Sequence, residues 1–326
     1  MATLLKSQTL LKDRYRIAGP IGQGGMGAVY RAEDTLLSGR ICAVKEIAPD
    51  PEIGHAALTQ LQEQFRQEAS VLARLDHPNL PKVSDYFTHS GREYLVMDYV
   101  PGHDLRELAD EALGEGRFLE EAQVLDWAEQ LCSALSYLHN QDPPILHRDI
   151  KPSNIKVTPS GLLKLVDFGL VKLLTSEEAR TVTVVQGQGT AAYTPLEQYG
   201  GDDAHTDTRT DIYALGATLY HLLTGRPPAT ARERFLRPGA LTPPRSINPH
   251  ISPAVEEAIV AALALHPDAR PDSVAEFWEA LRRAPLPAAI APLIVSGEEW
   301  RASWRKNVPL IVVVAVLTLV AILITP

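Results

Sequence analysis

Apolar and polar positions alternate along the first hundred residues in short runs separated by turn residues. Tyr15–Gly19, Ala28–Ala32, Ile41–Ile47, Lys82–Phe87 and Tyr94–Tyr99 read as strands. One helix interrupts them. Leu61, Phe65 and Leu72 recur at helical spacing, and Thr59 with Gln62 forms a capping-box pattern beside Leu58 as a staple residue, which predicts a helix start at Thr59. From about Pro101 the period becomes helical. Val124, Ala128, Leu131, Leu135 and Leu138 mark one amphipathic helix. Asp211–Leu223 is apolar nearly all round, the pattern of a buried helix, and Gly225 and Pro227 stop it. Ala254–Leu265 and Val274–Leu281 are further helices. The pattern predicts an α+β protein: a small β-rich lobe with one helix over 15–100, then a larger helical lobe over 101–283.

Past residue 283 the pattern changes. Pro285, Pro287, Pro292 and Gly297 make 284–307 a linker. Val308–Ile324 is apolar without a charge and reaches the roughly 17-residue lower limit for crossing a bilayer. A buried core helix is the alternative, but this run has no polar face. A transmembrane helix over 308–324 is therefore expected. Arg301, Arg305 and Lys306 precede it, so the positive-inside rule puts the N-terminal body in the cytoplasm, on a single-pass cell-membrane protein. No signal-peptide pattern opens the sequence.

Composition narrows the class. The 326 residues are 45% hydrophobic and 22% charged, enough to bury a core. A formal charge of −9 argues against nucleic acid as a partner. Cys42 and Cys132 stand far apart, which fits small core residues in a reducing compartment and not a disulfide framework. The histidines show no metal-ligand spacing, and His147 fits a packed core position. Trp278, Trp300 and Trp304 fit packing or membrane-interface positions.

The chemistry sits in four places. Gly22-Gln23-Gly24-Gly25-Met26-Gly27-Ala28-Val29 is a glycine-rich loop whose missing Cβ atoms let backbone N–H groups approach phosphate. It runs on into a strand, unlike the dinucleotide-binding loops, whose last glycine opens a helix; a plain glycine-rich hairpin is the alternative. Lys45 lies in the apolar run Ala43-Val44-Lys45. Glu68 falls within the apolar stripe of its helix, where an unpaired carboxylate costs several kcal/mol, and Lys45 is its natural partner. His147-Arg148-Asp149-Ile150-Lys151-Pro152-Ser153-Asn154 supplies a carboxylate to accept a hydroxyl proton, a cation to hold a phosphoryl group and an amide oxygen to ligate a metal. Asp167-Phe168-Gly169 places a hard oxygen ligand for Mg²⁺ at a strand end.

Together, in this order and spacing, these motifs resemble the eukaryotic-type protein kinases, and most closely the bacterial Ser/Thr kinases, whose glycine loop commonly reads as Gly22–Tyr30 does here. The likeness covers residues 15–283 and implies a bilobal kinase fold with ATP in the cleft. It implies that Gly22, Gln23, Gly24, Gly25, Gly27, Val29 and Ala43 line the nucleotide, and that Lys45 grips its α/β-phosphates while paired with Glu68. Asp149 becomes the catalytic base, Lys151 the γ-phosphate contact, and Asn154 and Asp167 the holders of Mg²⁺, with Mn²⁺ as an alternative ion. Met97 falls at the gatekeeper and Asp98–Val100 at the adenine-binding hinge; Asp104 faces either the ribose or a basic substrate residue.

Gly189–Tyr193 resembles the loop that seats the substrate, with Thr190 expected to bond Asp149 and Lys151. Pro195-Leu196-Glu197 replaces the family's Ala-Pro-Glu, so Glu197 is expected to pair with Arg270, and Asp211 to anchor the catalytic loop. Arg148 beside Asp149 implies a phosphate on the activation loop, for which Thr181 and Thr183 are the expected acceptors by autophosphorylation, with a homodimer as the arrangement that allows it. Lys151 favours Ser/Thr protein substrates over Tyr. Two rivals share the fold. A membrane-tethered pseudokinase scaffold is countered by the filled catalytic positions, and a small-molecule kinase by the intact Gly189–Tyr193 loop and Glu197.

Overall fold

In a computed structural model the described residues are 4–24, 27–47, 55–167, 191–199 and 206–283. Strands β1 (Leu10–Leu11), β2 (Tyr15–Gly24), β3 (Gly27–Asp34) and β4 (Ile41–Ile47) come first, followed by helix α1 (His55–Leu72) and strands β5 (Val83–His89) and β6 (Arg92–Asp98). They form one antiparallel sheet in the order β1-β2-β3-β4-β6-β5. Alternation along β4 sets its two faces. Cys42 and Val44 enter an outer core with Tyr15, Tyr30, Tyr94 and Val96, while Ile47 joins the inner core with Phe65, Ala69 and Leu72 of α1.

The inner core continues into the helical half. There β7 (His103–Asp104), α2 (Leu105–Gly114), α3 (Glu121–His139), β8 (Ile155–Val157) and β9 (Leu163–Leu165) precede α4 (Thr208–Thr224). The chain then forms α5 (Ala231–Leu236), α6 (Pro244–Ile247), α7 (Pro253–Ala262) and α8 (Val274–Leu281). Fifteen residues of α4 in succession, Thr210–Thr224, are buried, as the all-round apolar pattern required. Strands β7, β8 and β9 make a small sheet; Asn154 immediately precedes β8 and Asp167 follows β9.

One helix boundary differs from the expectation. Helix α1 begins at His55, so Thr59 lies inside it and does not cap it. Ala56, Ala57 and Leu58 are strong helix formers, and they extend the helix a turn before the capping-box pattern. The chain divides into two units at Arg283. The second unit, with the expected linker 284–307 and membrane helix 308–324, lies outside the described residues. Among the described residues no helix is long and apolar enough to cross a membrane.

Candidate active site

Strand register builds the upper wall of the cleft. Gly22 lies opposite Val29 and Gln23 opposite Ala28 across the β2–β3 turn, and Gly24 opposite Gly27 at its tip. Gly27 has φ 149°, a backbone geometry that suits a residue without a Cβ. One strand over, Val29 faces Lys45, and Ala43 faces Met97. The backbone N–H of Asp98 donates to the carbonyl of Lys82 at 3.0 Å, which fixes the end of β6; Val100 just beyond it is buried. Gly25, Met26 and the side chain of Glu68 lie outside the described residues, so the expected Lys45–Glu68 pair does too.

Lys45 reaches across the cleft to a carboxylate: its Nζ donates to Asp167 Oδ1. Asp167 stands just past β9 in the left-handed backbone region, φ 58°. Burial works to raise its pKa, but the ammonium of Lys45, aided by Lys151, outweighs that and holds the carboxyl below its ordinary range. It is an ionised carboxylate facing the cleft.

The loop between α3 and β8 carries the other charges. Lys151 Nζ donates to both carboxylate oxygens of Asp149, at 2.9 and 2.8 Å. Asn154, on a short 3-10 turn, donates from Nδ2 to the Asp149 carbonyl and to its Oδ2, each at 2.8 Å. That orientation leaves the Asn154 Oδ1 as an acceptor. The Asn154 carbonyl receives the N–H of Val166 at 2.8 Å, so the segments carrying Asp149 and Asp167 are one hydrogen-bonded piece. Among the described residues no group of three or more His, Cys, Asp or Glu side chains could hold a metal. One carboxylate and one amide oxygen nevertheless suit Mg²⁺, which completes its shell with water and phosphate oxygens.

Asp211 anchors this loop from α4. Its carboxylate accepts the N–H of His147 at 2.9 Å and of Arg148 at 2.8 Å, and it meets His139 Nε2 at 2.9 Å. Full burial pushes its pKa up, but the bond and charge of His139, the charge of His147 and the Arg148 N–H prevail and the group stays low. Arg148 sits in the left-handed region, φ 63°, and its guanidinium donates to Thr206 Oγ1.

Below, Glu197 and Arg270 form a two-pronged ion pair, with N–O distances of 2.6 and 3.0 Å. Arg270 is buried and also donates to the carbonyls of Ala264, Leu265 and Arg209. The Tyr193 hydroxyl lies 2.6 Å from Nδ1 of His221 on α4, a contact the sequence reading did not anticipate. Asp104 has a local duty: it caps α2, accepting the N–H of Glu107 at 2.9 Å while the Glu107 side chain receives its own N–H. The Asp104-x-x-Glu107 spacing carries that signal in the sequence. Thr181, Thr183 and Gly189–Thr190 lie outside the described residues.

Residues 15–274 match the protein kinase domain family. The chain belongs to that family. Among curated relatives, a probable serine/threonine-protein kinase of Streptomyces coelicolor is 36% identical over 82% of this chain and 39% of its own. Serine/threonine-protein kinase PknA of Mycobacterium tuberculosis is 35% identical over 86% of this chain and 65% of its own. The chain thus matches about two-fifths of the first relative's length. Two solved structures agree on the fold. The M. tuberculosis PknI kinase domain superposes with a TM-score of 0.64 at 28% identity, over 85% of this chain and 98% of its own. PpkA in its apo form gives 0.67 at 31%, over 86% of this chain and all of its own.

Proposed function

We propose that this kinase-family chain transfers the γ-phosphoryl group of MgATP to Ser or Thr hydroxyls of proteins. One observation carries the reading: Lys151 and Asn154 converge on the carboxylate of Asp149 while Lys45 pairs with Asp167 across the cleft. Asp149 accepts the proton of the attacking hydroxyl. Lys151, beside it, neutralises the charge on the transferring group, and Lys45 draws on the α/β-phosphates. Asn154 Oδ1 and Asp167 would hold Mg²⁺, which would supply charge neutralisation for the transferring phosphate. Gly22–Val29 would cover the phosphates, with Met97 as the gatekeeper and Asp98–Val100 as the hinge that binds the adenine. The filled Asp149 and Asp167 positions, with their partners in place, speak against a pseudokinase scaffold.

The same reading extends to regulation and address. Arg148 lies directly beside Asp149, and a phosphate on Thr181 or Thr183, added by a second copy, is the charge it would meet. The apolar run 308–324 behind a basic cluster supports a membrane anchor with the catalytic unit in the cytoplasm. The test is incubation of the purified chain with labelled ATP, Mg²⁺ and a generic protein substrate. Label on Ser and Thr of the substrate is expected, with label also on Thr181 or Thr183 of the chain. Label on tyrosine alone, or on small molecules alone, would contradict the reading.

A further inference from the structure

On the side of β4 away from the cleft, the neighbour of Lys45 is a buried carboxylate. The Glu46 side chain is 1% exposed. It accepts from the Tyr30 hydroxyl at 2.7 Å, the Tyr94 hydroxyl at 2.9 Å and the Arg92 guanidinium at 2.6 Å. Its donors come from β3 and β6, the two strands that flank β4. The family match begins at residue 15, yet the chain ahead of it joins this cluster. The N–H of Leu5 donates to the Tyr30 hydroxyl at 3.1 Å, and the Leu5 side chain packs on the outer core.

A lone carboxylate in an apolar core costs several kcal/mol, and three donors are needed to offset that. An apolar residue would satisfy the outer core without any of them, so packing alone does not ask for a glutamate here. What the carboxylate adds is direction. It ties together, at one point, the strand bearing Val29, the strand bearing Lys45 and the strand leading to Met97. Adjacent strand residues point to opposite faces, so a pivot or register shift of β4 that moves Lys45 must break the Glu46 bonds. Burial raises the pKa of Tyr94 and Tyr30, with the Glu46 carboxylate adding to it, so both hydroxyls stay protonated and donate.

We infer that Glu46 is a positioning residue for Lys45, locked from behind by Tyr30, Tyr94 and Arg92, and that the segment ahead of β2 belongs to this device through Leu5. The inference rests on the ATP-binding function proposed above. Its test is the affinity of the full chain, in detergent, for a fluorescent ATP analogue with Mg²⁺. The variants are Glu46→Gln, Tyr30→Phe and a deletion of residues 1–8, each measured where thermal melting shows it fully folded. A merely structural role lowers the folded fraction and leaves the affinity of the folded molecules unchanged. A positioning role weakens binding by about tenfold in Glu46→Gln, as a misplaced charge-assisted contact does, and by smaller factors in Tyr30→Phe and the truncated chain. Wild-type affinity in folded Glu46→Gln and Tyr30→Phe would overturn the inference alone. A wild-type chain that bound no nucleotide would overturn the proposed function and this inference with it.

Discussion

Asp211 accepts the backbone N–H of Arg148 at 2.8 Å, and so ties the loop that carries Asp149 to the buried helix α4. A second bond, from the N–H of His147 at 2.9 Å, fixes the direction of that tie. The loop is therefore held from below by the backbone, leaving the side chains of Asp149 and Lys151 to face the cleft.

Asp211→Ala removes an acceptor from two backbone donors at once. An orphaned buried donor costs about 1–3 kcal/mol. The variant is expected to melt well below wild type and to lose activity even in its folded fraction. Asp211→Asn keeps one oxygen and should fall between the two. Equal melting of Asp211→Ala and wild type, read by calorimetry, would deny Asp211 its anchoring role.

Arg270 is the clearest stability test in the helical half. It is buried, and Glu197 neutralises it through two bonds. Breaking a buried pair from one side leaves a charge unmatched and costs about 3–5 kcal/mol. Glu197→Ala should therefore destabilise more than the double variant Glu197→Ala/Arg270→Met, which removes both charges. Denaturant melts of the single and double variants check the order.

The chemistry was more legible in the sequence than the scaffold details. Asp149, Lys151, Asn154 and Asp167 could be picked out because they stand close together in recognisable motifs, and the structure brings the first three into direct contact. Glu197 and Arg270 stand 73 residues apart, and only the family resemblance brought them together. The bond of Lys45 to Asp167 joins two separate motifs and is legible in neither alone. Asp104 carried a readable capping box, yet the resemblance drew attention to a ligand role. The N-terminal segment gives no periodic signal because polar residues interrupt Leu4, Leu5, Leu10 and Leu11, although Leu11 is fully buried in the outer core. Short helices such as α5 and α6 give too few turns for a periodic signal.

Histidines set the mild-acid stability. Burial lowers the pKa of His221, bonded to Tyr193, and of His147, against the pull of nearby carboxylates. Their folded pKa values lie below the unfolded value of about 6.5, so the unfolded chain binds more protons as pH falls below it. The stability these residues confer is complete above that value and is lost as pH drops through the window beneath it. The carboxylates held low, Asp34 at about 2 among them, act only at lower pH. Melting temperature should fall as pH drops below about 6.5, and His221→Gln should reduce that slope. An unchanged slope would show that His221 is protonated equally in both states.

The membrane anchor separates cleanly from the catalytic unit in the proposal. Deleting residues 300–326 should yield a chain that fractionates as soluble and keeps transfer activity. Full-length chain recovered wholly in the soluble fraction would contradict the anchor.

The central claim is that Asp149 is the base of a phosphoryl transfer. The direct measurement is the initial rate of γ-phosphate transfer from MgATP to a generic protein substrate by wild type and Asp149→Asn, with matched melting curves. Asp149→Asn keeps the shape of the side chain and removes its charge. A fall of about 10²–10⁴-fold is predicted, the usual cost of losing a catalytic acid–base group, with the fold intact. Activity within tenfold of wild type would contradict the account.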